Sequence, residues 1–136
     1  MSWCHFPHDA DLGLRGTGVD KASAFEAIAL ALTAAVTDLS TVAAKETVSV
    51  CCKAPDDELL LVDWLNALIY EMAVRKMLFG EFHVEINDGE LVAQVAGEPV
   101  EQSKHRPAVE VKGATYTSLA VEQTDEGWLV QCVVDV

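Results

Sequence analysis

The hydrophobic pattern of this chain changes its period at Gly80, and that change most limits the folds open to it. From there apolar and charged residues alternate: Phe82, Val84 and Ile86 against Glu81, His83 and Glu85. This alternation predicts a strand with one buried face. Asn87-Asp88-Gly89-Glu90 then predicts a tight hairpin that returns as a strand over Leu91–Ala96. After a polar loop we expect the remaining segments to be a strand from Ala108 to Val121 that bends near Gly113, a turn over Gln123–Gly127 and a closing strand over Trp128–Val136.

The part of the chain before Gly80 follows a different pattern. Apolar residues recur every three or four positions in two stretches, which predicts helices over about Lys21–Thr37, with Asp20 as N-cap, and about Asp57–Lys76. Strands are expected over Leu12–Gly16 and Glu46–Lys53. The sequence therefore predicts one α+β domain over residues 1–136, with two helices packed on a mainly antiparallel β-sheet.

The charge of the chain restricts its partners. It carries 22 acidic and 9 basic residues, for a net charge of −13, so we expect no direct binding to nucleic acid phosphates. Such a surface suits a basic protein partner or a hard cation. The apolar runs are too short to cross a bilayer and the N-terminus lacks the order of a secretion signal. We therefore expect a cytoplasmic protein that does not associate with membranes.

The four cysteines and the standard catalytic motifs give no sign of an enzyme. Cys4, Cys51, Cys52 and Cys132 form no CxxC pair, which argues against a disulfide framework or a four-thiolate zinc site. In apolar runs we expect cysteines to behave as small buried hydrophobes. No cysteine opens a helix, and no GxSxG, GxGxxG or phosphate-binding loop is present.

Acidic groups at the two ends of the chain predict a cation site. In FPHDADLGLRG, Pro7 favours a bend that carries His8, Asp9 and Asp11. The chain ends on Asp135 and on Val136, whose terminal carboxylate adds a second negative group. If the strands that carry these residues are neighbours, three oxygen donors meet, as Ca²⁺ or Mg²⁺ requires. The alternative is an unpaired loop acid and a frayed terminus.

Two other constellations have simpler explanations. Cys4, His5 and His8 form a C-H-x-x-H set that suits zinc, but strand alternation separates Cys4 from His5. We expect a structural role for His5 and a loop hydrogen bond for His8. On the second predicted helix, Asp63, Asn66 and Tyr70 share a face, which spacing alone indicates to be a solvated surface.

Several blocks of the sequence, in order, resemble the archease family. His8–Gly18 resembles its H-T-A-D-x-G-x-R-x-x-G segment, and Thr37-Asp38-Leu39 its T-D-L pattern. Leu60–Tyr70 resembles L-L-x-D-W-L-N-E-L-L-Y, Glu110–Tyr116 resembles the E-x-K-A-x-T-Y-H strand, and His105 resembles a histidine shortly before that strand. The family also ends on an aspartate followed by a β-branched residue. Three positions depart from the pattern: Asp9 replaces threonine, Ala67 glutamate and Thr117 histidine.

This resemblance implies a function. Archease proteins are non-catalytic partners of the GTP-dependent RNA-splicing ligase in tRNA splicing and RNA repair. They promote guanylylation of the ligase and its multiple turnover, and they broaden the nucleoside triphosphates it uses. The resemblance implies a calcium site made by Asp11, Asp135 and Val136. It also suggests an activation surface with the residues His8, Asp38, Asp63, Lys112 and Thr115.

Two readings from other classes stay open at this stage. One is a metal-dependent phosphoester hydrolase in which Asp11 and Asp135 hold the ion and His8 acts as base, although such enzymes use more convergent ligands than this chain offers. The other is a chaperone-like binder that needs no metal.

Overall fold

The structure, a computed structural model, describes all residues from Met1 to Val136. Eight strands and three helices follow one another along the chain: β1 Ser2–His8, β2 Asp11–Gly18, α1 Lys21–Val36, β3 Glu46–Lys53, α2 Asp57–Arg75, β4 Met77–Asn87, β5 Glu90–Pro99, α3 Gln102–His105, β6 Gly113–Ala114, β7 Ala120–Thr124 and β8 Gly127–Asp135. A short 3₁₀ turn, Leu39–Thr41, follows α1.

The strands form two antiparallel sheets. The first sheet has the order β1-β2-β8, and both β6 and β7 pair with the far edge of β8. The second sheet has the order β3-β5-β4. The first sheet therefore joins the two ends of the chain, because β2 pairs with β8.

Helix α1 packs against both sheets, with contacts to β1, β2 and β8 on one side and to β4 on the other. Most of its residues are small or apolar, and it is buried around much of its circumference. Gly16 of β2 allows its close approach, since a Cβ there would lie 2.5 Å from the Ile28 nitrogen and 2.7 Å from the Ala24 oxygen. The helix thus rests directly on the strand backbone.

Helix α2 closes the core from the other side. Asp56 caps its first turn by accepting a hydrogen bond from the Leu59 nitrogen, and Lys76 ends it in the left-handed conformation. The buried Trp64 indole donates to the Phe25 carbonyl oxygen at 3.0 Å and so ties α2 to α1. One hydrophobic cluster of 26 buried residues includes side chains of both sheets and both long helices.

Most predicted elements are confirmed, and the α+β class with them. Helices α1 and α2 end one residue earlier than expected, and the strand at Glu46–Lys53 has the expected bounds. The hairpin at Asn87–Glu90 is present, with both central residues at positive φ. The strands form two sheets where one was expected. No helix combines the length and apolar composition needed to cross a membrane.

Two predictions about the later part of the chain were wrong. The segment expected to be a polar loop, 97–107, contains the end of β5 and the short helix α3. The buried run Met77-Leu78-Phe79 starts β4 early, and its pairing with Gly97–Pro99 extends β5. The strand expected over Ala108–Val121 forms only at β6 and β7, because a turn interrupts the regular pairing with β8 between them, where Ser118 has a φ of 52°.

Candidate functional site

The two predicted aspartates lie beside each other at one end of the first sheet. Leu12 pairs with Val134, so the register continued by one residue places Asp11 next to Asp135. His8 pairs with Asp11 on the other side, and Gly113 pairs with Asp135. Directly opposite residues share a face, with Cβ atoms about 4.5–5.5 Å apart. We refer to His8, Asp11 and Asp135 as the acidic row.

The turn between β1 and β2 sets the start of this row. It consists of Asp9 and Ala10, and Asp9 adopts a φ of 51°, which aspartate tolerates better than most residues. Pro7 lies within β1, an edge strand, where its missing N–H costs little. The predicted bend is therefore this turn, and β1 extends through Pro7 to His8.

The histidines near the row have separate roles. His5 Nε2 lies 2.8 Å from the Ala31 carbonyl oxygen, which confirms its structural role. We expected a loop hydrogen bond for His8, and for Nδ1 this prediction is wrong. His8 belongs to β1, and its Nδ1 atom is buried without a hydrogen-bond partner. No three His, Cys, Asp or Glu side chains converge as a metal site.

The donors at the row fit a hard cation in their chemistry. Asp11 and Asp135 place two carboxylates on adjacent strands, and the third predicted donor is the main-chain carboxylate of Val136. Like charges so close favour an intervening cation. The orphaned Nδ1 of His8 is a further buried polar atom beside Asp11 without a protein partner. The occupancy of this site stays a prediction.

The segment around β6 brings two further predicted residues to Asp135. The Lys112 nitrogen donates to the Asp135 carbonyl oxygen at 2.8 Å. Both the nitrogen and the hydroxyl of Thr115 donate to the Val133 carbonyl oxygen, at 2.9 and 2.8 Å. These bonds hold both residues along the edge of β8 that ends in Asp135.

Helix α2 supports the same edge. Asn66 Oδ1 accepts a hydrogen bond from the Ala114 nitrogen at 2.9 Å, so its face is not merely solvated as expected. Asp63 lies one turn before Asn66 and is exposed, as is Tyr70. Burial raises the pKa of the Cys52 thiol in β3, and the negative charge of Asp63 adds to this effect.

Asp38 lies in a different place, at the end of α1. It caps the 3₁₀ turn by accepting from the nitrogen and the hydroxyl of Ser40, at 3.0 and 2.8 Å. The hydroxyl bond is the main cause that lowers the pKa of Asp38. Asp38 lines a groove of about 530 Å³ between the end of α1 and α3, together with Lys104 and Arg106. The structure does not place it in the acidic row.

Next to this groove lies a buried ion cluster that was not predicted from the sequence. Glu98 and His105 are 2% and 3% exposed, and His105 Nε2 lies 3.0 Å from Glu98 Oε2. Because His105 Nδ1 accepts from the Glu101 nitrogen, Nε2 carries the proton and donates to Glu98. Lys104 Nζ donates to both Glu98 oxygens at 2.9 and 2.7 Å, and these bonds hold the pKa of Glu98 well below its usual range.

This cluster anchors the segment that forms the groove. The Ala43 nitrogen donates to Glu98 at 2.7 Å, and the Thr37 hydroxyl donates to the His105 carbonyl oxygen at 2.6 Å. Glu98 alternates with apolar residues as any exposed strand residue would, so no sequence pattern marks it as buried. Only the resemblance had drawn attention to His105.

The cysteines are all free, and two of them are unreactive by environment. Burial raises the pKa of Cys52 and of Cys132 to about 11, so both thiols stay protonated at neutral pH. The expected burial of cysteines in apolar runs is confirmed for Cys132 but wrong for Cys51, which is exposed, while Cys52 is half-buried. Cys4, outside these runs, is also exposed. Cys4 lies on an edge strand and Cys51 on the solvent face of β3.

Comparison with known proteins shows which family the chain belongs to. The model of the Archease protein family (MTH1598/TM1083) matches residues 3–136. The chain belongs to the archease family. It is similar to the protein archease of Pyrococcus furiosus, with 34% identity over 98% of both chains. Its similarity to the archease of Methanosarcina acetivorans is 35%, over 97% of this chain and 94% of that protein.

Two solved structures share the fold of this archease-family chain. The solution structure of Methanobacterium thermoautotrophicum protein 1598 superposes with a TM-score of 0.81 and 26% identity, and 99% of each chain is covered. The crystal structure of an archease, possible chaperone, from Thermotoga maritima gives a TM-score of 0.60 at 18% identity over 96% of this chain and 94% of that one. The second likeness concerns the fold alone.

Proposed function

We propose that this chain is a non-catalytic activator of a GTP-dependent RNA-splicing ligase, which acts in the cytoplasm in tRNA splicing and RNA repair. In this role it promotes guanylylation of the ligase and multiple turnover, and it broadens the nucleoside triphosphates that the ligase accepts. Family membership supports the partner. The observation that carries the mechanism is the antiparallel pairing of β2 with β8, whose register, extended by one residue, brings Asp11 next to Asp135.

The acidic row is proposed to hold a calcium ion, with Mg²⁺ as the other ion its oxygen donors admit. Asp11, Asp135 and the terminal carboxylate of Val136 would be the ligands. A bound ion would supply a fixed positive charge at an otherwise negative edge. Lys112 and Thr115 keep the end of β8 in place through the hydrogen bonds that they donate to its carbonyl oxygens. His8 pairs with Asp11 on the β1 side.

The acidic row can assist a ligase without supplying a nucleophile. Attack on GTP depends mainly on positioning and on stabilisation of charge. A rigid sheet end that presents carboxylates can orient basic side chains of the ligase near its nucleotide site. The net charge of −13 favours association with such a basic surface. Asp38 and Asp63, outside the row, would extend the contact.

Ligation at limiting ligase tests the proposal. We expect the wild-type chain to convert single-turnover ligation into multiple turnover and to accelerate ligase guanylylation with GTP. Asp11→Ala and Asp135→Ala should each reduce this stimulation at least about tenfold, the size of effect that loss of one positioned charged group produces. Asp125→Ala provides the matched control, since Asp125 lies in the turn between β7 and β8 at the other end of the sheet.

Folded variants of Asp11 and Asp135 that stimulate as strongly as the Asp125 control would remove the acidic row from the mechanism. Absence of any stimulation by the wild-type chain would contradict the ligase assignment itself. Circular dichroism and melting temperatures establish that each variant is folded.

One observation favours a second candidate, a metal-dependent phosphoester hydrolase. The unpartnered Nδ1 of His8 beside Asp11 is the position that a general base would occupy. The purified chain with Mg²⁺ and a phosphodiester substrate tests this. Turnover that disappears with His8→Ala would favour the hydrolase over the activator.

A further inference from the structure

Arg15 lies on the same face of β2 as Asp11, four residues further along the strand, a separation of roughly 13 Å. It pairs with Cys4 on one side and with Gln131 on the other. Its Nε donates to Gln131 Oε1 at 3.0 Å, and its guanidinium carbon lies 4.8 Å from the centre of the Phe6 ring. The side chain is half-buried and fixed by both contacts.

The neighbours of Arg15 are themselves held in place. Phe6 pairs with Gly13, and a Cβ at Gly13 would lie within 2.4 Å of three atoms of the Phe6 ring. Only glycine therefore leaves room for the ring that supports the guanidinium. Gln131 Nε2 donates to the Ser118 carbonyl oxygen at 3.0 Å, which turns Oε1 toward Arg15. In the D-x-G-x-R segment, Gly13 thus makes room for the Phe6 ring, which packs against the Arg15 guanidinium.

The guanidinium keeps its two outer nitrogens free. Four of the basic residues, Lys21, Lys45, Arg75 and Lys104, pair with carboxylates. Arg15 has no carboxylate partner in a chain with 22 acidic residues, and the only hydrogen bond of its side chain is made by Nε. A partly desolvated arginine whose terminal nitrogens have no partner can bind a carboxylate through two parallel hydrogen bonds.

We propose that Arg15, held by Phe6 and Gln131, is a binding site for an aspartate or glutamate side chain of the protein partner. The negative charge of the chain, with Asp11 and Asp135 on the same face, disfavours a polyanion such as RNA but admits a single carboxylate. This inference rests on the proposed function, because its partner is the ligase. The partner would then meet two contacts on one face, the acidic row and Arg15.

The test measures binding of the chain to the purified ligase by calorimetry. Arg15→Lys keeps the charge but loses the fork, and Arg15→Met keeps packing on Phe6 without charge. We expect each to raise Kd about tenfold or more. Lys53→Gln serves as the matched control for Arg15→Met, because Lys53 is exposed on the second sheet and its loss changes the net charge by the same amount. If one variant fails to fold, the other decides the result.

Wild-type affinity in both Arg15 variants would overturn this inference and leave the proposed function intact. Absence of binding by the wild-type chain would overturn both. A 5′-phosphorylated RNA oligonucleotide provides a second arm: binding of the oligonucleotide that Arg15→Lys abolishes would assign the site to phosphate instead. Ultracentrifugation provides a third, since a wild-type dimer that Arg15→Lys dissociates would assign the site to a second copy of the chain.

Discussion

Among single residues, Glu98 makes stability depend on pH in acid. Its carboxylate accepts from Lys104, Ala43 and His105, and these bonds lower its pKa from the ordinary 4.5. As pH falls below 4.5 the unfolded chain takes up a proton at this residue before the folded one does. The free energy of unfolding therefore decreases toward acid pH and is fully restored above 4.5.

Urea unfolding between pH 3 and pH 7 measures this dependence. We expect Glu98→Gln to be less stable than the wild type at pH 7, because it loses the negative carboxylate to which Lys104 and His105 both donate hydrogen bonds. Its stability should also change less between pH 5 and pH 3 than that of the wild type. An unchanged slope with pH in Glu98→Gln would show that other carboxylates dominate the acid response.

Residue positions differ in how far sequence alone could predict them. Asp11 and Asp135 were predicted to meet because they lie at matching ends of two strands, and only the pairing of those strands had to be assumed. The burial of Glu98 could not be predicted, since it depends on Lys104, on His105 and on the Ala43 nitrogen, 55 residues away. A buried charge becomes acceptable only when such partners are present.

At the scale of elements, the contact between α1 and β2 depends on Gly16. A Cβ at this position would meet backbone atoms of Ala24 and Ile28, which cannot move aside as a flexible side chain could. We expect Gly16→Ala to lower the free energy of unfolding by about 2–4 kcal/mol. Gly113→Ala should cost less than about 1 kcal/mol, because its nearest neighbour is the Asn66 side chain at 3.6 Å.

Denaturant unfolding of the two glycine variants compares these positions directly. Equal losses in both would contradict a steric clash specific to Gly16, because the change in backbone freedom that the two substitutions share stabilises a protein when the native φ suits alanine. A loss of stability in Gly16→Ala alone would support direct packing of α1 against the backbone of β2.

Elements with local signals were predicted well. Asp20 and Asp56 cap their helices through hydrogen bonds within one turn, and Asp88-Gly89 forms its hairpin through its own positive φ angles. The β6 strand, in contrast, is defined by where it pairs with the far end of β8. Its bounds follow from contacts distant in sequence, so no local pattern marks them, whereas β7 pairs with β8 across the short turn that the sequence predicted.

For the whole molecule, the division into two sheets was beyond sequence reasoning, because alternation shows which face of a strand is buried but not which strand lies beside it. The same non-local pairing of β2 with β8 joins the chain ends and creates the acidic row. The proposed calcium site thus depends on the global topology. Its ligands would come from residues more than 120 positions apart, so we expect only the folded chain to bind the ion with high affinity.

A calcium titration of the purified, metal-free chain by calorimetry tests this account most directly. The wild type is predicted to bind one Ca²⁺, and Asp11→Asn and Asp135→Asn should each weaken binding at least about tenfold, since each removes one charged ligand. Asp125→Asn, at the other end of the sheet, should bind as the wild type does. No saturable binding by the wild type, or equal affinity in Asp11→Asn, would contradict the account.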